Sequence, residues 1–330
     1  MTTAERTRST QVEVDHFADR LDRLVENIER VIKGKTDVVQ LAVVCMLAEG
    51  HLLIEDVPGV GKTTLARSMA ESIDGTLSRI QFTPDLLPTD VTGVQIFSSS
   101  NNKFEFHPGS VFANVVLGDE INRASPKTQS ALLEVMEEHQ VTVDGVPHPV
   151  PDPFIVIATQ NPVELDGTYN LPEAQLDRFM MRLRIGYPSQ SAETEIIDGL
   201  NTRHFRPELV ALLTPEDFRR MSDTCERVHV AHNIRHYIVS IARETRNLNQ
   251  LRLGASPRAS SALARAARAF AAAAGRTYVM PEDIKTLAPH VLTHRLILTP
   301  EAELQGVSAA GLLERVLAEI PVPAERDATT

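Results

Sequence analysis

Two hydrophobic periods divide this chain, and the change from one to the other comes near residue 187. Before that point, short apolar runs recur at His51–Ile54, Val115–Gly118 and Phe154–Ala158, with further short strands expected at Arg79–Phe82 and Met181–Ile185. Segments of helical spacing lie between them. Runs without alternation are buried on both faces, which predicts a parallel sheet covered by helices. Beyond Gly186-Tyr187-Pro188-Ser189 the strand pattern stops, and helical segments follow at about 190–200, 215–227, 231–246, 257–274, 281–293 and 308–318. The pattern therefore predicts an α/β domain over 15–187 and an all-α domain over 188–320. The polar ends, 1–14 and 321–330, are expected to fray.

Finer features follow from the same reading. Phe17, Leu21, Leu24, Ile28 and Ile32 stand at helical spacing, so the first helix is expected to end near Gly34, with Thr36 capping the next. Val38–Ala48 is apolar all round and stops at Gly50, as a buried helix would. Ser125-Pro126 is a helix start running to Glu137. Two hairpins are expected, one with Gln95–Phe97 and Phe104–Phe106 around a polar turn, the other around Asp144-Gly145. The first follows Pro84 and Pro88 and has the look of an insertion into a helix.

Composition narrows the class. The 330 residues are enough for two domains, with 42% hydrophobic and 23% charged residues. No apolar run approaches the roughly 18 residues of a membrane span, and the start lacks the apolar stretch of a secretory leader. Cys45 and Cys225 are the two cysteines, too few for a disulfide framework, so a reducing cytoplasm is the expected compartment. A net charge of −11 weighs against a surface built for the nucleic-acid backbone. The Ala-rich stretch 262–274 reads as a packing face.

The candidate chemistry begins at Asp56-Val57-Pro58-Gly59-Val60-Gly61-Lys62-Thr63, between the apolar run at 51–54 and a helix opening at Thr64. A strand feeding a Gly-rich turn that opens into a helix places backbone N–H groups and a positive helix end around phosphate oxygens. Lys62 would reach the β- and γ-phosphates, and the Thr63 hydroxyl would hold Mg²⁺. Asp56 stands where such loops carry their first glycine. Asp tolerates a left-handed turn, and its carboxylate is expected to bond local N–H groups and face away from the phosphates. At the end of Val115–Gly118, Asp119 would orient Mg²⁺ through water and Glu120 would polarise the attacking water, since ligands of open α/β sheets lie beyond the carboxyl ends of strands. Asn161, after the neighbouring strand, could position that water. The histidine pairs His232/His236 and His290/His294 have helical i, i+4 spacing but no third metal ligand, so surface or interface positions are expected. Arg178 and Arg258 say nothing on their own.

Taken together, Glu55–Thr63, Phe82–Gly93, Asp119–Ala124, Ala158–Pro162, Leu171–Phe179 and Gly254–Ala259 make the chain resemble the MoxR-family AAA+ ATPases over nearly its whole length. The resemblance implies a phosphate-loop NTPase core with helices on both faces of its sheet, followed by an all-α lid. It implies ATP and Mg²⁺ bound between subunits of a ring, commonly a hexamer. Loop residues Val57 to Thr64 would hold the nucleotide and Ile32 to Lys35, with Gly34 among them, would lie at the adenine. Arg178 matches an arginine finger acting on the neighbour, Arg258 a lid arginine acting in cis, and Asn161 a polar sensor. The two hairpins match the helix-2 and pre-sensor inserts, facing a pore or client. The implied role is a chaperone-like remodeller of a partner complex, working with a von Willebrand factor A-domain protein and in some relatives aiding metal or cofactor insertion. A nucleic-acid motor and a chelatase ATPase subunit are the alternatives.

Overall fold

The computed structural model describes residues 8–161, 169, 171–200 and 209–323. The expected frayed ends fall partly outside these residues, as does Pro162 of the sensor stretch. Helices α1 (Gln11–Glu29) and α2 (Thr36–Leu47) come first. Then follow β1 (Leu52–Glu55), α3 (Lys62–Ser72), β2 (Leu77–Gln81), α4 (Pro88–Thr92), β3 (Gly93–Ser98), β4 (Lys103–Pro108), β5 (Val115–Asp119), α5 (Pro126–Glu138), β6 (Gln140–Val143), β7 (Val146–Pro149), β8 (Ile155–Gln160), α6 (Glu173–Leu176), β9 (Met181–Leu183) and α7 (Gln190–Leu200). The remainder is α8 (Pro215–Glu226), α9 (His232–Asn247), β10 (Leu251–Leu253), α10 (Pro257–Ala273), α11 (Pro281–Leu292), β11 (Ile297–Leu298), α12 (Pro300–Leu304) and α13 (Ala309–Glu319). Two compact units result, one of Arg23–Arg178 with Leu183–Arg219, the other of Met1–Asp22, Phe179–Arg182 and Arg220–Thr330, among their described residues.

The sheet has five strands in the order β2-β5-β8-β1-β9, of which β2, β5, β8 and β1 lie wholly in the first unit. The pairs β2–β5, β5–β8 and β8–β1 are parallel, and Leu117, Ile157 and Leu52 stand in one row across them. These strands lack polar alternation because both faces are covered, and Leu52, Leu117 and Ile157 are fully buried. Parallel pairing puts the ends of β1, β5 and β8 at one edge of the sheet, where Asp56, Glu120 and Asn161 begin their loops. Neighbouring strands here are not consecutive in sequence, the arrangement that opens a ligand crevice at that edge.

His51 is a buried anchor beside β1. Its Nδ1 accepts from Val156 N at 3.0 Å, and its Nε2 lies 2.9 Å from the Met136 carbonyl, so the ring ties β8 to α5. The expected hairpins are present as β3–β4 and β6–β7, both antiparallel. They meet where Phe106 stacks on His148 with centroids 3.9 Å apart. At the base of β3–β4 the backbones cross so closely that a Cβ on Gly109 would lie 2.3 Å from the Val91 carbonyl oxygen, and one on Gly93 2.5 Å from the His107 carbonyl oxygen. Only glycine fits either position.

Several local expectations are corrected. Helix α1 stops at Glu29 rather than near Gly34, because Ile32 turns inward to pack beside the Gly61 turn. Thr36 does not cap α2. Lys35 holds the cap position, and the Thr36 hydroxyl donates to the Glu29 carboxylate. The left-handed residue after α2 is Glu49, while Gly50 N bonds back to the Cys45 carbonyl. Asp56 is not left-handed, since the positive φ values of the phosphate turn belong to Gly59 and Gly61.

The second unit is helical, and the Ala-rich stretch supplies its packing face. Ala259, Ala262, Ala266, Ala269 and Ala273 on α10 are all buried. A small antiparallel ribbon of β10 and β11 joins the helices, a feature that helical periodicity does not foreshadow. His294 is 4% exposed, so it is a core residue and not a surface or interface one. Its Nε2 lies 3.0 Å from the Phe179 carbonyl oxygen, and Arg295 donates to the same oxygen at 2.7 Å. Burial, reinforced by Arg295, holds the His294 pKa well below the usual histidine value.

Candidate functional site

The phosphate turn has the geometry its sequence suggests. Gly61 is left-handed with φ 95° and precedes α3 without any side-chain cap. The first N–H groups of α3, on Lys62, Thr63 and Thr64, therefore lack an intrahelical or capping partner and form the positive end of the helix dipole. Gly59 has φ 84°, and a Cβ placed there would meet nothing within 4 Å, so the crest of the turn is open. Pro58 lies exposed on that crest, with Val57 and Val60 half-buried beside it. Lys62 Nζ donates to the carbonyls of Asp56 at 2.8 Å and Val57 at 3.3 Å, folding the side chain over the loop. Burial lowers its pKa, and the charges of Asp56, Asp119 and Glu120 oppose that shift. The ammonium thus sits among three carboxylates.

Asp56 turns away from the crest. Its Oδ2 accepts from Gly186 N at 2.6 Å and its Oδ1 from Val57 N at 2.9 Å. The stretch expected at the adenine lies close to the turn: Ile32 Cδ1 would be 3.5 Å from a Cβ on Gly61, and Gly34 faces Ala192 of α7. Lys35 reaches the Tyr187 carbonyl at 2.8 Å.

At the end of β5 the two acids are held differently. Asp119 Oδ2 pairs with Arg79 Nε at 2.7 Å, and Oδ1 accepts from the Thr159 hydroxyl at 3.2 Å. Glu120 is left-handed, φ 57° and ψ 51°, a conformation costing a non-glycine residue about 1–3 kcal/mol. Thr159 supports it by accepting from Glu120 N at 3.0 Å. The Glu120 carboxylate accepts from Gln81 at 3.0 Å and from Arg123 at 3.0 Å. Asn161 follows β8, between the strands that carry the turn and the acids, and is buried.

Arg79, Gln81, Arg123 and Thr159 hold the two acids, and the sequence reading gave none of them a role. The available signal was alternation: Arg79 and Gln81 share a face of β2, and Gln81 stands in register with Asp119. Arg178 is not drawn into this cluster. It lies against α5, bonded to the Leu133 carbonyl and paired with Glu137 at 3.2 Å. Arg258 belongs to the other unit, exposed in the first turn of α10, where Ser256 caps the helix by accepting from Ala259 N at 3.0 Å. Among the described residues no group of three side chains is placed to hold a metal by itself. Mg²⁺ bound with nucleotide phosphates nevertheless fits, since Thr63 and Asp119 are oxygen donors and Asp119 is already arranged to pair with a cation, Arg79.

Comparison with known proteins agrees with this geometry. Residues 51–181 match the ATPase family associated with various cellular activities (AAA), and residues 243–316 match the AAA lid domain. The chain is 49% identical to the uncharacterized protein YeaC of Bacillus subtilis (strain 168) over 308 residues, which is 93% of this chain and 96% of that one. It is 42% identical to Chaperone MoxR1 of Mycobacterium tuberculosis, covering 92% of this chain and 82% of the relative. A crystal structure of a candidate ATPase from Cytophaga hutchinsonii superposes with a TM-score of 0.89 at 35% identity, covering 94% of this chain and 97% of the other. No described helix is long and apolar enough to cross a membrane.

Proposed function

The chain belongs to the MoxR family of AAA+ ATPases, and from that premise we propose that it hydrolyses ATP to remodel a partner protein complex in the manner of a chaperone. The observation that carries the reading is the uncapped N-terminus of α3, with Lys62 beside it and the acids Asp119 and Glu120 at the same edge of the sheet. Polyphosphate is the ligand whose charge suits a helix end and a partly buried ammonium together. In this reading Val57 to Thr64 hold the phosphates and Lys62 exchanges its loop carbonyls for phosphate oxygens. Ile32 to Lys35 flank the adenine. Thr63 and Asp119 hold Mg²⁺, Asp119 through water. When bound, Mg²⁺ supplies neutralisation of the phosphate charge.

Glu120 is the group that polarises water. It is tethered to Gln81 and Arg123, so turnover requires it to exchange those partners for the water. Asn161 positions that water. Phosphoryl transfer depends mainly on positioning and charge stabilisation, and an added arginine can contribute on the order of 10³- to 10⁵-fold. Arg178, whose guanidinium is bonded on α5 to the Leu133 carbonyl and the Glu137 carboxylate, suits an arginine finger for a neighbour. We therefore propose a homo-oligomeric ring, commonly hexameric in this family, with residues 15–187 as the ATPase core and 188–320 as the lid, whose Arg258 contacts the nucleotide in cis. A cytoplasmic location, a client complex and a von Willebrand factor A-domain partner complete the proposal, with metal or cofactor insertion as one form the remodelling can take.

The test compares ATP binding by calorimetry with steady-state hydrolysis. Lys62→Ala should lose roughly 10- to 100-fold in affinity, the scale of hydrogen bonds to charged groups. Glu120→Gln should bind ATP but turn over about 10²- to 10⁴-fold more slowly. Unchanged affinity in the first variant sinks the loop assignment, and wild-type turnover in the second moves the base elsewhere.

A further inference from the structure

Both carboxylate oxygens of Asp119 already have partners within the chain. Oδ1 is committed to Thr159, whose hydroxyl is itself committed to Glu120 N. Oδ2 is held by Arg79 Nε at 2.7 Å. Arg79 reaches this position from β2 and donates a second bond to Gln81 Oε1 at 3.3 Å. The partners differ in exposure: the Asp119 side chain is 10% exposed and the Arg79 side chain 54%. The carboxylate is fixed and nearly dry, while the guanidinium can leave for water at small cost, as half-exposed ion pairs do.

The guanidinium takes one acceptor site of Oδ2, and a hydrated Mg²⁺ drawn to the same carboxylate is repelled by that positive charge. We propose that Arg79 is a positioning residue that competes with Mg²⁺ for Asp119. It keeps the carboxylate aimed while no metal is bound, and it must swing out when the metal enters with nucleotide. The Mg²⁺ requirement of nucleotide binding is thus set partly from β2. The inference rests on Asp119 being the carboxylate that orients Mg²⁺.

The test uses the whole 330-residue chain, a fluorescent ADP and a Mg²⁺ titration from an EDTA-treated start, with nucleotide affinity also measured in EDTA. Arg79→Ala should lower the half-saturating Mg²⁺ concentration about fivefold and leave the metal-free ADP affinity unchanged. Arg79→Lys, which keeps the charge but loses the planar fork, should fall between that variant and the wild type. Should Arg79→Ala fail to fold, Arg79→Gln removes the charge while keeping a polar side chain, and carries the same expectation. Asp119→Asn is measured alongside and should raise the Mg²⁺ requirement. A flat response there overturns the reading of Asp119 and this proposal with it. A raised requirement in Asp119→Asn with an unchanged or higher requirement in Arg79→Ala overturns the competition alone.

Discussion

The nucleotide edge of the sheet and the β3–β4 hairpin belong to one unit yet treat side chains in opposite ways. At the edge, polar groups are buried: Asp56, Asp119 and Thr159 are all nearly inaccessible, and each has named partners within hydrogen-bond distance. On the hairpin, apolar groups are in water. Phe97 and Phe104 are 49% and 67% exposed, with rings 5.3 Å apart, and Ile96 is exposed beside them. A buried polar group is tolerable only when satisfied, so the edge is over-determined and holds its geometry without a ligand. An exposed aromatic pair is tolerated by the monomer and gains only from contact with something else. The first region holds polar groups in place, and the second leaves apolar groups without cover.

Three substitutions sharpen or break this contrast. The largest effect is expected at the hairpin base, where rigidity is required even though the tip is free. Gly109→Ala puts a methyl against the Val91 carbonyl and should cost about 3 kcal/mol or more in urea unfolding, at the upper end of overpacking effects. A loss below about 1 kcal/mol would mean the base yields and the hairpin is loose throughout. Next comes Asp56→Gly, which restores the usual loop residue but removes the acceptor of Gly186 N. Stability should fall by about 1.5–3 kcal/mol, the value of a charged hydrogen bond, with nucleotide affinity within about twofold of wild type. A large gain in affinity would show that the carboxylate acts on the phosphates after all. The smallest effect belongs to Phe104→Ala, for which unfolding should shift by less than about 1 kcal/mol because its ring is mostly wet. A core-sized loss would mean that Phe104 belongs to the packed fold and not to its exposed surface.

Much of this was legible beforehand, for identifiable reasons. The strands at 52–55, 115–119 and 155–160 are apolar runs without alternation, and both hairpins carry their turn residues in the open. The phosphate turn is a contiguous motif whose glycines take the positive φ values that such a turn needs. The partners of that motif were harder to see. Arg79 lies far from Asp119 in sequence, and only the parallel register of β2 and β5 brings them together. Gly186 carries no sign that its amide will hold Asp56. His294 sits at helical spacing from His290, which suggested a surface pair, yet the fold closes over it at the Phe179 carbonyl.

By itself the chain determined the strands β1, β5 and β8, both hairpins, where the nucleotide turn lies and which two acids stand at the end of β5, because each depends on neighbours within a few residues and on period. Tertiary structure alone decided that Asp119 is shared with Arg79, that Glu120 stands in a left-handed turn held by Thr159, Gln81 and Arg123, and that Asp56 faces Gly186. Those outcomes depend on strand order and register, which bring distant polar groups together in a place too dry to leave them unpaired.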